Sequence, residues 1–194
     1  MTITSDGVWR IHVDTGGTFT DCIAESPDGR AVRNKTLSRG SLPASVAQVC
    51  TLEILLDAPW ECPDDFPVGF TVRFPSHPEV LAEVAAYEAN ARRLTLSEVL
   101  PFVPEVGEPL ELDSHLEAPL LATNLVLANE GLDVSSVNLS LRLATTRCTN
   151  ALLEGKGVSP VFFVTRGFRD LLRIGDQRRL GPVSYTHLTL PTKG

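Results

Sequence analysis

The architecture of this chain can be worked out from one stretch near its start, VDTGGTFTD at residues 13–21. It joins two apolar segments, residues 9–13 and 19–25, and so predicts a tight β-hairpin. Gly16 and Gly17 are expected to make the turn because glycine takes positive φ without penalty. Backbone N–H groups at such a turn form a concavity that holds phosphate oxygens. Carboxylates at strand ends, such as Asp14 and Asp21, can hold Mg²⁺ directly or through water.

Two better-known phosphate-binding patterns are excluded for this stretch. It lacks the Gly-Lys-Ser/Thr ending of a P-loop, and a strand follows it where a dinucleotide fingerprint requires a helix. Taken alone, the stretch also fits an ordinary β-hairpin whose hydroxyls cap the turn.

Further elements follow on either side of the hairpin. A turn at residues 27–29 precedes a third antiparallel strand at 31–37. Pro43 predicts a helix start, and apolar residues at helical spacing continue that helix to Asp57. Proline-separated short strands then predict a small β-rich insertion. A second helix from Glu117 to Gly131 and a strand at 137–143 complete the middle of the chain.

A second polar stretch, ATTRCTNALLEGKG at residues 144–157, lies between that strand and a helical turn at 151–154. It gathers hydroxyls, an amide and helix N–H groups, which suit an anion or a carbonyl oxygen. By itself it also fits a hydroxyl-rich helix cap. A third stretch, VTRGFRDLLRIGDQR at residues 164–178, follows an apolar run at 160–165 that predicts a buried strand, and it predicts a helix from Arg169 to about Ile174.

In this order, the three stretches resemble the signatures of the amino-terminal region of the hydantoinase/oxoprolinase family. The resemblance implies an α/β (mixed α+β) fold, an actin/hexokinase-like (ribonuclease H-like) ATPase half-domain with a β-hairpin phosphate loop and a small β-rich insertion. One departure stands at Ala144, where the family usually has glycine.

The resemblance also divides the chain. Residues 1–58 would be the amino-terminal family segment, 59–116 the β-rich insertion and 117–180 the continuation of the family domain. Residues 183–192 resemble the translation of a sequencing-library adapter, so we expect 181–194 to be an artefact and the natural sequence to end at about Leu180.

In function, the resemblance implies hydrolysis of a cyclic amide coupled to ATP cleavage, with ATP and Mg²⁺ as cofactors. ATP would activate the amide oxygen, and water would attack the activated carbon. The expected phosphate contacts are Gly16, Gly17, Thr18, Thr20, Thr145, Thr146 and Thr149. The expected catalytic residues are Asp14, Asp21 and Asn150, with Asp14 also a possible Mg²⁺ ligand.

A small cyclic amide such as 5-oxoproline or hydantoin is the implied substrate. The implied partners are missing carboxyl-terminal domains or a hydantoinase B-type subunit. Two alternatives stay open: an acetone-carboxylase-type subunit, and a stand-alone nucleotide-binding module without catalysis. Because actin-like folds hold the nucleotide between two domains, these 194 residues alone are expected to be inactive.

Bulk composition narrows the classes of partner. A formal net charge of −7 argues against nucleic acid, which needs a basic face. The four cysteines form no Cys-x-x-Cys pair, so zinc and redox readings lack support. We see no signal peptide and no apolar run long enough for a membrane span, and therefore expect a cytoplasmic protein.

Overall fold

The structure is a computed structural model and describes residues 7–159 and 161–174. It divides into two units, one ending at Lys156 and one beginning at Gly157. The strands of the first unit, in chain order, are β1 (Val8–Thr15), β2 (Phe19–Glu25), β3 (Ala31–Leu37), β4 (Ser41–Cys50), β5 (Glu53–Asp57), β6 (Thr71–Phe74), β7 (His77–Glu88), β8 (Arg93–Leu96), β9 (Pro109–Asp113) and β10 (Asn138–Thr145). Its helices are α1 (Ala118–Asn129) and α2 (Arg147–Leu153), with a 3-10 turn at Val134–Ser136.

An open sheet forms the first part of this unit. β1, β2 and β3 pair antiparallel, and β10 lies on the other side of β1, parallel to it. A parallel partner needs a long crossover, which runs through α1. The predicted hairpin, third strand, second helix and following strand are thus confirmed, with shifts of a few residues at some ends.

Helix α1 covers one face of the open sheet. Alternate residues of β1 and β2 point to that face and are buried, as strand periodicity requires. They pack with α1 residues in one apolar cluster: Trp9, Ile11, Val13, Cys22, Ala24, Ala122, Val126 and Leu127. Arg30 holds the far end of the helix through a two-point ion pair with Glu130.

A closed six-stranded barrel forms the second part. Its strands follow the order β4–β5–β8–β7–β6–β9, and β9 pairs back with β4, every pairing being antiparallel. Closure removes free strand edges. The largest fully buried side chains of its core are Leu42, Val46, Ile54, Val72, Phe74, Leu94, Leu110 and Leu112.

The helix predicted from Pro43 to Asp57 is wrong. That stretch forms β4 and β5, joined by a turn in which Thr51 takes a φ of 35°. Inward residues recur at every second position in both strands, and a bulge between Val46 and Gln48 bends β4 so that it pairs with both β9 and β5. The domain boundaries proposed from the sequence stay predictions.

Near its end the first unit departs from the sequence-based expectation in one place. The loop expected up to Asn150 is shorter, because α2 already begins at Arg147. In the second unit, residues 161–165 form no strand, so the buried strand predicted there is wrong for the described residues. A turn at Gly167 leads into a short helix α3 (Leu171–Ile174). Residues 181–194 and the end of the third stretch, Gln177 and Arg178, lie outside the described residues.

Candidate functional site

The hairpin turn between β1 and β2 is held by a small set of hydrogen bonds. The Gly16 N–H donates to the Phe19 carbonyl at 3.0 Å. The Ser38 hydroxyl donates to the Gly16 carbonyl at 3.0 Å and lies 3.1 Å from the Thr20 hydroxyl, while the Ser38 N–H donates to the Thr18 carbonyl. Ser38 therefore fixes the turn from the end of β3, a role visible only once the strand register is known.

Thr20 and Thr18 occupy different surroundings in this turn. Thr20 is fully buried and its hydroxyl faces Ser38, so it supports the turn from inside. Thr18 is exposed at the tip. Direct phosphate contact by either residue stays a prediction.

The physical reason for the two glycines differs from the one expected. Neither Gly16 nor Gly17 has positive φ, so conformational freedom is not what requires them. A Cβ at Gly16 would lie 3.1 Å from the Phe19 carbonyl oxygen, closer than most real contacts. A Cβ at Gly17 would lie 3.6 Å from Nδ2 of Asn150. A side chain is therefore crowded only at Gly16, while at Gly17 a Cβ would make an ordinary contact with the second polar stretch.

The two candidate carboxylates stand side by side on the sheet face opposite α1. Asp14 and Asp21 are direct partners across β1 and β2, and Lys35 is the next partner on β3. The Lys35 ammonium lies 3.2 Å from Asp21 and 5.2 Å from the ring centroid of Phe19. Both carboxylates are exposed, so water or an ion can reach them.

The second polar stretch meets the hairpin at the end of β10. Thr145 pairs with Thr15, and the Thr146 N–H donates to the Thr15 carbonyl at 3.2 Å. One turn into α2, the Asn150 amide lies 3.4 Å from the Thr146 hydroxyl. Asn150 therefore faces Gly17 although the two stretches are far apart in sequence.

The structure thus brings most predicted site residues to one end of the open sheet: Asp14, Gly16, Gly17, Thr18, Asp21, Thr145, Thr146 and Asn150. Thr149 is exposed on α2, and among the described residues no hydrogen bond joins its side chain to the turn. Ala144 is the register partner of Asp14 on β10, so its methyl group points to the same face of the sheet as that carboxylate. Cys22, next to Asp21, points to the buried face, and burial raises its thiol pKa to about 11.

The donor set can be compared with what Mg²⁺ requires. Within residues 7–159 and 161–174, no cluster of three or more His, Cys, Asp or Glu side chains could hold a metal ion by itself. Mg²⁺ in phosphoryl-transfer sites uses one or two carboxylates, and substrate phosphates and waters complete its shell. The exposed pair Asp14 and Asp21 fits that pattern.

Comparison with known proteins finds a partial match to one family. Residues 114–190 match the model described as "Hydantoinase/oxoprolinase N-terminal region". The match extends into the segment 181–194 predicted to be an artefact, and that prediction stays a prediction. The resemblance to the hydantoinase/oxoprolinase family recognised from the motifs is therefore confirmed, over part of the chain.

Among curated proteins, the chain resembles 5-oxoprolinase of Dictyostelium discoideum, with 45% identity over 53 residues, 27% of this chain and 4% of that protein. It resembles 5-oxoprolinase of Saccharomyces cerevisiae with 52% identity over 48 residues, 25% of this chain and 4% of that protein. An uncharacterized protein of Schizosaccharomyces pombe matches to the same extent as the S. cerevisiae protein. Each match thus spans a small fraction of its relative's length.

Two further findings concern solved structures and membrane-spanning helices. No solved structure matches this chain significantly. In the part of the chain that the structure describes, no helix is long and apolar enough to cross a membrane.

Proposed function

We propose that this chain is the amino-terminal part of an ATP-dependent cyclic-amide hydrolase that opens a ring such as 5-oxoproline or hydantoin. The names of the relatives support this class of substrate. The remaining domains of the same protein, or a hydantoinase B-type subunit, would complete the active site. These 194 residues alone would be inactive.

The main support for the proposal is that the two polar stretches, residues 13–21 and 144–157, lie at the same end of the open sheet. A Cβ at Gly17 would lie 3.6 Å from Nδ2 of Asn150, and the Thr146 N–H donates to the Thr15 carbonyl at the end of β1. A turn with exposed amides, hydroxyls and paired carboxylates at one sheet end suits phosphate and its metal.

An actin/hexokinase-like half-domain is the proposed fold. Its support is the antiparallel β1–β2–β3 meander, the helix α1 packed on one face, and the parallel return of β10 beside β1. The proposed site lies where β1 and β10 both end, at Thr15 and Thr145.

Each residue has a distinct proposed role. The Gly17 and Thr18 amides would contact phosphate oxygens, and Asn150 would fix the edge of that cradle. Asp14 and Asp21 would hold Mg²⁺ directly or through water, and ATP would supply the chemical activation of the amide. Lys35 neutralises Asp21 when no cation is present, so it would compete with the metal at that carboxylate.

The experiment uses the protein expressed from its complete gene. ADP release is measured with and without 5-oxoproline or hydantoin, for the unchanged protein and for Asp14→Asn and Gly17→Val. Each variant is expected to lower substrate-dependent ADP release by about 100-fold or more, since removing one preorganised contact to developing charge has effects of that order. Asp57→Asn, an exposed carboxylate of the barrel, is the matched control and should leave the rate unchanged.

Three results would contradict the proposal in different ways. Full activity of Asp14→Asn would remove that carboxylate from the mechanism. Activity with a ketone and bicarbonate, and none with cyclic amides, would favour the acetone-carboxylase type. ATP binding without turnover of any of these substrates would favour a nucleotide-binding module.

A further inference from the structure

Strand β3 has a free edge along most of its length. It pairs with β2 through seven residues, but on its other side only Leu37 has a strand partner, Ser41 of β4. The Ser38 N–H bond to the Thr18 carbonyl fixes the alternation of backbone groups along β3. The N–H and C=O groups of Val32, Asn34 and Thr36 therefore face β2.

The intervening residues, Ala31, Arg33 and Lys35, consequently present their N–H and C=O groups outward. Within the described residues, these backbone groups have no hydrogen-bond partner on that side. Unpaired backbone groups in a row are a template for an added strand.

A cleft of about 1080 Å³ runs along this edge. Residues 32–35 of β3 form one wall and residues 58–63 the other, with Leu125 and Asn129 of α1 at its base. The second wall is preformed. The Trp60 indole donates to the Pro43 carbonyl at 2.6 Å, the Arg92 guanidinium donates to the Ala58 carbonyl at 2.7 Å, and the Asn129 amide donates to the Glu61 carbonyl at 2.9 Å.

The two faces beside the edge differ in chemistry. The side chains of Arg33 and Lys35 lie on the face away from α1, and both are exposed. Val32 and Asn34 lie on the α1 side, where the Asn34 amide donates to the Ala122 carbonyl and its Oδ1 is buried without a hydrogen-bond partner. A strand added here would meet Arg33 and Lys35 at alternate positions, with Lys35 also 3.2 Å from Asp21, and a largely apolar surface at the position between them.

We propose that this edge binds an extended segment of a partner polypeptide in which acidic and apolar residues alternate. Acidic side chains directly opposite Arg33 and Lys35 form favourable cross-strand pairs. The apolar side chains between them enter the cleft beside the half-buried Val32. A second copy of this chain is disfavoured, because pairing two β3 edges would bring Arg33 and Lys35 against the same cations.

The test uses the 194-residue chain and an end-blocked peptide of four Glu-Val repeats, with four Lys-Val repeats as the charge control. Amide hydrogen exchange is followed by NMR at residues 31–36. The acidic peptide is expected to slow exchange at Ala31, Arg33 and Lys35 by at least tenfold. The amides of Val32, Asn34 and Thr36 should change little, since β2 already protects them. The lysine peptide should have no effect.

Two variants separate backbone pairing from charge. Arg33→Pro removes one outward N–H and no bond to β2, so it should melt close to the unchanged chain while its peptide affinity falls at least tenfold. Arg33→Glu keeps the N–H and should weaken the acidic peptide at least tenfold while strengthening the lysine peptide. The second variant keeps the test decisive if the proline variant does not fold.

Several results would overturn the proposal. One is exchange that slows equally at odd and even positions, or not at all. Another is strong protection of the three outward amides before any peptide is added, which would mean that a segment of this chain already lies on the edge. A dimer in sedimentation that Arg33→Pro dissociates would assign the edge to a second copy. None of these outcomes bears on ADP release, so the cyclic-amide proposal is tested separately.

Discussion

The open sheet and the closed barrel of this chain differ in how their strand edges are paired and how their faces are packed. The barrel pairs every strand on both sides and fills its interior with aliphatic and aromatic side chains. The open sheet leaves most of the β3 edge unpaired, exposes carboxylates on one face and keeps a glycine, Gly16, where a side chain would fit poorly. We therefore expect local stability to be higher in the barrel, which carries no candidate site residue, than in the open sheet.

The junction between the two parts should be the most sensitive point. Gly40, between β3 and β4, has a φ of 85°, and a Cβ there would lie 1.9 Å from the Leu116 carbonyl oxygen. Gly40→Ala is expected to cost about 4 kcal/mol or more, since backbone must move in addition to the strain of left-handed φ. Denaturant unfolding measures the loss. Gly107→Ala has a similar φ of 87° but open space around it, and should cost only about 1–2 kcal/mol. Equal losses would show that the Leu116 contact is unimportant.

The next largest effect is expected inside the barrel. Phe74 is 1% exposed and packs edge-on against Phe102 with ring centroids 5.2 Å apart. Phe74→Ala should lower the free energy of unfolding by about 3 kcal/mol through lost burial and a residual cavity. Phe19→Ala, on the open sheet where the ring is 44% exposed, should cost under about 1 kcal/mol in the same measurement. A reversed order would contradict the assignment of stability to the barrel.

Substitutions of the two hairpin glycines are expected to have smaller effects, and they distinguish a role in stability from a role in activity. Gly16→Ala should cost about 1 kcal/mol, because its Cβ would press on the Phe19 carbonyl. Gly17→Ala has an ordinary contact distance to Asn150 and should leave thermal unfolding nearly unchanged. If Gly17→Ala also leaves substrate-dependent ADP release unchanged in the complete protein, the space beside Asn150 has no role in that activity.

The smallest expected effect is a pH dependence at the rim of the barrel. The Ser76 hydroxyl and the Glu105 N–H donate to Glu108 and lower the pKa of that carboxyl below its ordinary value of 4.5. The contribution of the Glu108 carboxylate to the free energy of unfolding is therefore present above pH 4.5. It is lost as the pH falls through the lowered pKa. Ser76→Ala should flatten the fall in unfolding free energy below pH 4.5, measured by denaturant titration at several pH values. Glu98→Gln, at an exposed position, should leave the profile unchanged.

Local sequence signals were sufficient for the open sheet. The alternation in β1 to β3, Pro119 at the start of α1 and Gly131 after its end predict those elements correctly. The same kind of signal failed at residues 43–57, because Val46, Val49 and Leu56 satisfy a helical spacing as well as two strands. What selects strands there is sheet pairing: residues 41–45 pair with β9 and residues 53–55 with β8, and both partners lie far along the chain and give no local signal.

The candidate site also contains some residues that local sequence predicts and others that it does not. The hairpin residues could be proposed from their own chemistry. The expectation that Asn150 belongs to the same site as Gly17 rested on the family resemblance. It depends on the parallel pairing of β1 with β10, which spacing does not reveal. Ser38 and Lys35, which contact the turn and Asp21, were missed because their roles follow from register across β2 and β3.

The pairing of Val8 with Asn138 also sets an order of events during synthesis. The strands of the barrel are complete once residue 113 has left the ribosome, and their partners all lie within one continuous stretch of chain. The open sheet has to wait for β10, so one side of β1 stays unpaired until residues 138–145 have been synthesised. The candidate site is therefore the last part of the first unit to be assembled on a nascent chain, after the barrel beside it is able to fold.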